Sequence, residues 1–323
     1  MSKTVTAEPE MIQVYKKLPL DERGNLFPPE KCLISPRNLV IISFPKSGKT
    51  ETLVNQKNIL IGDSQGGTDY FKAQNVANLL SYDGEEPFEV IKDGTFVPSG
   101  IYQTVAELNE VNNMSKYWQL YNAFKDARGK EREKLYDEVL ECILAMKFPV
   151  FAVDPITSMQ KLFHDAALAD YVNQFKPKQP KSSIKRVDEY GGSQYIRRTI
   201  LGITAFIEKN AAPFILYTGH IKEKKKVLNK GDEDISVADM DFEGTMSTIF
   251  TQKSDANAIF YRDKNGCFLD FMKKDENTDF DSRPPHLANK KIKIADIHEF
   301  DNEGNVTKKG KTYWERIYPE LKF

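Results

Sequence analysis

The chain has 323 residues, with 46 Lys and Arg against 47 Asp and Glu and a formal net charge of −1 when histidine is neutral. A hydrophobic content of 40% beside 29% charged residues suits a globular chain with a sizeable core, excludes a disordered one, and argues against a surface that is positive all over. Three separated cysteines, Cys32, Cys142 and Cys267, give neither a disulfide framework nor a zinc site and suit a reducing cytoplasm.

Residues 1–37 are polar, punctuated by Pro28, Pro29 and Pro36, and read as an N-terminal arm. That stretch lacks the apolar core of a signal peptide, and no apolar run in the chain approaches the roughly 18 residues of a membrane span. At Asn38 the character changes. Leu39-Val40-Ile41-Ile42 is a continuous β-branched run, which predicts a strand buried on both faces. Asn58–Ile61 is the second such run. Apolar residues at Leu135, Val139, Leu140, Ile143 and Leu144 have helical spacing within Glu131–Met146. The third strand is Phe148–Val153, regular from Val150 because Pro149 cannot donate to a ladder. A second helix is predicted at Thr199–Lys209 and a fourth strand at Pro213–Thr218. Ala258–Arg262 and Cys267–Phe271, joined through Asn265-Gly266, predict an antiparallel hairpin. Strand and helix in alternation predict an α/β fold with a mainly parallel central sheet, flanked by helices and mixed at one edge. The core would span residues 38–275. Residues 276–323, with the short run Lys291–Ile294, read as a C-terminal appendage with little core of its own.

Directly after the first strand comes Ser43-Phe44-Pro45-Lys46-Ser47-Gly48-Lys49-Thr50-Glu51. The phosphate-binding P-loop asks for Gly, four residues, then Gly-Lys-Ser/Thr. The second half is intact and Ser43 replaces the leading glycine. Gly48 permits the tight backbone curl, Lys49 would reach the β- and γ-phosphates of ATP, and the Thr50 hydroxyl would ligate Mg²⁺. Glu51–Gln56 would open a helix whose N-terminal end favours the anion. A chance Ser-Gly-Lys-Thr in a surface turn would lack this placement between a buried strand and a helix. Asp154 ends the third strand, which is expected beside the first, and would hold the Mg²⁺ shell.

These segments, with Ile59–Gly67, Val153–Ser158 and Leu216–Lys222, resemble the ordered motifs of RecA-like P-loop NTPases. They are most similar to compact AAA-type ATPases of bacteriophages found beside single-strand annealing or recombination proteins. The resemblance runs from about Asn38 to Lys274. It implies a RecA-like ATPase that assembles as a ring or filament on single-stranded DNA, with an annealing or single-strand-binding protein as a further partner. It also implies the cytoplasm, that of the host if the chain is phage-encoded. In such cores the strand after the P-loop helix ends in Asp-x-Glu, and the glutamate polarises the attacking water. Here that position is Gln65, which can orient water but cannot take its proton. Slow hydrolysis, or help from Asp63, Asp69 or a neighbouring subunit, is the expectation. His220 stands where these ATPases carry a polar sensor of the γ-phosphate. The other histidines, His298 included, read as structural.

Two segments break the overall neutrality. Lys176–Arg198 has seven basic residues against two acidic ones, net +5, and includes Lys181, Lys185, Arg186, Tyr190 and Tyr195. Ile221–Lys230 has five lysines, among them Lys222, Lys224, Lys225 and Lys226, against Glu223, net +4. Both are expected as loops that bind nucleic acid, with lysines on phosphates and tyrosine stacked on a base. Solvated surface is the plain alternative, and the acidic run from Asp232 to Glu243 is available to pair with the second segment. Three functions follow: a DNA-dependent ATPase, an ATP-gated assembly module with little hydrolysis, and a small-molecule kinase. The last would bring an arginine-rich lid helix, which the sequence does not show.

Overall fold

The β-branched run becomes β1, Asn38–Ser43, and the chain then alternates between strands and helices. A computed structural model describes residues 23–26, 30–176, 183–186, 191–226, 235–242, 246–272, 282–300, 306–308 and 310–323. After β1 come α1 (Lys49–Leu53), β2 (Ile59–Asp63), β3 (Val76–Asn78), and a small hairpin of β4 (Phe88–Val90) and β5 (Phe96–Pro98). Helices α2 (Ser99–Asn112), α3 (Met114–Asp126) and α4 (Gly129–Leu144) follow, then β6 (Val150–Asp154), α5 (Gln160–Phe175) and α6 (Gly191–Asn210). The chain continues through β7 (Phe214–Lys226), β8 (Ile235–Met240), α7 (Met246–Lys253), β9 (Ala256–Asp263), β10 (Gly266–Asp270) and β11 (Lys291–Ala295).

The central sheet has the order β11-β10-β9-β1-β7-β6-β2-β3, with β8 paired to the far end of β7. From β9 to β3 every neighbouring pair is parallel, whereas β10 and β11 add antiparallel to the β9 edge. The fold is therefore α/β, mainly parallel, with the hairpin that the Asn-Gly turn predicts. One expectation changes. The strand that carries Asp154 is not beside β1, because β7 lies between them and pairs with both.

Alternate residues of each buried strand enter opposite layers, as a period of two requires. Leu39, Ile41, Ile59, Ile61, Val150 and Ala152 pack against Leu53 of α1, Tyr117 of α3 and Val139 of α4. Val40, Ile42, Phe151 and Val153 face the other way, onto Ile101 of α2, Phe163 of α5, Ile203 of α6 and Phe250 of α7. Among the described residues no helix is long and apolar enough to cross a membrane.

The segment read as an appendage is built into this core. β11 extends the sheet, and Trp314, Ile317, Tyr318 and Leu321 are buried in the same layer as α1 and β1. Trp314 Nε1 donates to the carbonyl of Thr52 in α1 at 2.8 Å, and Thr312 Oγ1 lies 3.1 Å from Gln56 Oε1. The Glu320 carboxylate accepts the N–H of Ile34 at 2.6 Å and so ties in the stretch before β1. Trp314, Ile317, Tyr318 and Leu321 do stand at the helical spacing i, i+3, i+4 and i+7, but Pro319 interrupts so short a pattern and only a 3₁₀ turn forms, at Trp314–Arg316. Trp314→Ala should cost about 3–5 kcal/mol of stability in urea unfolding. A loss below about 1 kcal/mol would contradict the packing described.

Candidate functional site at the carboxyl ends of the parallel strands

The turn between β1 and α1 uses left-handed backbone at two places, Lys46 (φ 61°) and Gly48 (φ 97°). Gly48 needs this freedom and also the space, since a Cβ there would lie 3.3 Å from Glu51 Oε2. The helix that follows is one turn, Lys49–Leu53, rather than a longer one running to Gln56. Its dipole is correspondingly small. Any anion held here depends on side chains and the curled backbone more than on a helix end.

Lys49 is only 7% exposed. Its Nζ donates to Ser43 Oγ, which lies 2.6 Å from Ser47 Oγ. Serine in place of the leading glycine thus gives the buried ammonium an acceptor. Burial nevertheless pushes the Lys49 pKa down from 10.5 to about 8, against the opposing pull of Asp154. Thr50 Oγ1 donates to Asp154 Oδ2 at 2.6 Å, and Thr218 Oγ1 donates to Asp154 Oδ1. Thr218 lies on the intervening β7, so a short polar side chain there completes the link between two strands that are not neighbours. The Asp154–Pro155 peptide is cis.

A cavity of about 320 Å³ opens above these groups. Its lining includes Lys46, Ser47, Gly48, Lys49, Thr50, Glu51, Gln65, Asp154 and His220, with Gly67, Tyr70, Phe71 and Pro155 completing it. The sequence-derived site residues Lys49, Thr50, Gln65, Asp154 and His220 therefore meet around one space. Phe44 and Pro45 are not part of that lining, and Phe44 is 57% exposed. Gln65 Oε1 accepts from Ser158 Oγ at 2.6 Å, which fixes the amide's orientation. His220 pairs in register with Ser43, and burial together with the nearby Lys49 charge lowers its pKa. It is a neutral imidazole at physiological pH, with one ring nitrogen to donate and one to accept.

Asp63 is unsuited to the base role expected of it. Its carboxylate accepts the N–H groups of Gln65 (2.9 Å), Gly66 (2.8 Å) and Thr68 (2.8 Å), and the Thr68 hydroxyl. Burial opposes ionisation, but these hydrogen bonds outweigh it and hold the pKa below the usual range. Asp63 shapes the loop that carries Gln65. Asp69 folds against Gly66 and is not part of the cavity lining.

No family model matches this chain, and no curated protein matches it.

Four partners were given no role in the sequence reading. Ser158, on the 3₁₀ turn Ile156–Met159, and Thr218, on β7, lie inside segments that carry the resemblance, but nothing in those segments singles out either side chain. Arg262 and His298 flank Glu51, with Arg262 Nη1 at 3.1 Å from Oε2 and His298 Nε2 at 3.1 Å from Oε1. His298 is thus a neighbour of the β1–α1 turn although it is 247 positions away from Glu51.

The basic segments look different in three dimensions. Lys181 and Tyr190 lie outside the described residues. Lys185 is exposed on a 3₁₀ turn, Ile184–Arg186, and Arg197 and Arg198 are exposed on α6, which starts well before the predicted Thr199. Tyr195 is engaged by α5: its hydroxyl lies 2.8 Å from Gln174 Oε1 and its ring meets Tyr171 and Phe175 edge-on. As far as Lys226 the second segment is a strand and not a loop, since Lys222, Lys224, Lys225 and Lys226 belong to β7 and pair with β8, while Val227–Lys230 lie outside the described residues. Backbone pairing with Ile235–Met240 stabilises that extension of the strand. Lys222 Nζ is also bound to the Phe242 carbonyl and lies 3.3 Å from Asp241, one of the acidic residues expected as a partner.

The Lys49 shift has a testable consequence. Between about pH 8 and 10.5 the unfolded chain keeps a proton that the folded one has lost, so this residue's contribution to stability rises with pH across that window. Below it, the cost of a buried ammonium is fully present. Lys49→Met should therefore stabilise the ligand-free protein at pH 7 by about 1–3 kcal/mol, and less at pH 10. Urea unfolding at both values checks this. Equal destabilisation at both would contradict it.

Proposed function

We propose that this chain is a Mg²⁺-dependent, ATP-binding P-loop protein of RecA-like design. It would act on single-stranded DNA in recombination, repair or replication and hydrolyse ATP slowly. The observation that carries the reading is the convergence of buried Lys49 with the Thr50–Asp154 pair at the floor of one cavity, at the carboxyl ends of β1 and β6. Ligands of open α/β sheets bind at this edge.

The donor chemistry supports the metal. Thr50 Oγ1 and Asp154 Oδ2 are adjacent hard oxygens, the kind that Mg²⁺ takes in small number while water and phosphate complete its shell. Among the described residues no group of three His, Cys, Asp or Glu forms a protein-only metal cage. Mg²⁺ at the Thr50–Asp154 pair would offset charge on the β- and γ-phosphates. Lys49 gains a counter-anion when phosphate arrives, which relieves the cost of its burial. Gln65, aligned by Ser158, presents an amide to a water near the terminal phosphate, and His220 reports on that phosphate by hydrogen bonding.

The carboxylates lining the cavity are Glu51 and Asp154. The first is bound by Arg262 and His298, the second by Thr50 and Thr218. Neither is a ready general base, and this favours a second form of the same reading: an ATP-gated ring or filament in which binding, more than turnover, drives assembly with DNA and with an annealing or single-strand-binding partner. Exposed Lys185, Arg197 and Arg198 supply sequence-independent phosphate contacts.

Hydrolysis measured with and without single-stranded DNA tests the proposal. Turnover should be slow, rise with DNA, and vanish in Lys49→Ala. Gln65→Glu should raise it by about tenfold or more by adding a base. Unchanged turnover in Lys49→Ala, or phosphate appearing on a small metabolite, would overturn the reading.

A further inference from the structure

We propose that Arg262 is a phosphate-binding residue held in reserve by Glu51, and that a bound nucleoside triphosphate takes its guanidinium from that carboxylate. The inference rests on the nucleotide reading above and adds a residue that no sequence motif marks.

Strand β9 runs parallel to β1 with Ile259 beside Ile42. β1 stops at Ser43 while β9 continues to Asp263, so Arg262 stands past the end of β1, beside the turn that carries Gly48. A Cβ on Gly48 would lie 3.7 Å from Arg262 Nη1 and 3.3 Å from Glu51 Oε2. The ion pair therefore rests directly on the β1–α1 turn, and its Glu51 half lines the cavity.

Charge makes this arrangement unstable toward a polyphosphate. The basic side chains lining the cavity are Lys46 and Lys49, together with the neutral His220. A triphosphate brings several negative charges to the same turn as the Glu51 carboxylate, which repels it. A guanidinium at the rim has a fork of donors that matches phosphate oxygens bidentately. The Arg262 and Glu51 side chains are 34% and 26% exposed, and a partly exposed ion pair is weak enough to exchange. Glu51 keeps a second partner at His298 when Arg262 leaves, so the exchange strands no carboxylate.

A merely structural Arg262 would matter only by neutralising Glu51, and a double-variant cycle separates the two roles. ATP affinity in the presence of Mg²⁺ is measured by calorimetry on the full chain, for the parent, Arg262→Ala, Glu51→Gln and the double variant. Arg262→Ala should weaken binding about tenfold or more, as loss of a charge-assisted hydrogen bond does. Glu51→Gln should bind at least as tightly as the parent, and the double variant about tenfold more weakly than Glu51→Gln. Arg262→Lys, which keeps the charge and loses the fork, should fall between parent and alanine and serves if the alanine variant does not fold. Equal affinity of the double variant and Glu51→Gln overturns the role of Arg262 and leaves the nucleotide reading intact. A parent chain that binds no ATP overturns both.

Discussion

The contact between Thr50 and Asp154 holds the site together. It joins the first residues of α1 to the end of β6 across an intervening strand, and Thr218 on that strand supplies the third member. With Asp154 only 4% exposed, an ionised carboxylate there needs donors, because a buried charge without them is costly. Two hydroxyls meet that need in the ligand-free protein. Both are hard-oxygen groups of the kind that the proposed cation would displace or share.

The rest of the molecule keeps that contact in register. Helix α1 is a single turn and has little stability of its own. Trp314 from the chain's far end bonds the Thr52 carbonyl and fills the layer beneath it, while Glu51 is gripped by Arg262 and His298. Asn75 adds a further clasp, donating to the carbonyls of Leu53, Gln56 and Ile59. The β1–α1 turn and its one-turn helix are thus braced from three directions.

The sequence made the buried strands legible, since β-branched runs such as Leu39–Ile42 and Val150–Val153 have few other fates, and the Asn-Gly hairpin came with its turn chemistry. The residues that surround the cavity were legible too, because Lys49, Thr50, Gln65, Asp154 and His220 all follow such runs. Strand order was not. Periodicity says which residues are buried but not which strand lies beside which, and so β7 went unplaced between β1 and β6. Helices α2 and α3 were missed because Asn113, in left-handed backbone at the junction, divides one polar-rich stretch into two helices on opposite faces of the sheet. The lysine-rich strand was read as a loop since its charge obscured a pairing made through the backbone. His298 and Trp314 meet α1 only through tertiary packing, to which no local pattern points.

The central claim is that Thr50 and Asp154 together receive Mg²⁺ with ATP. Its most direct test is ATP affinity measured with and without Mg²⁺ in the parent chain and in Asp154→Asn. The account requires that Mg²⁺ tighten binding in the parent and have little effect in the variant. Equal tightening in both proteins would contradict it.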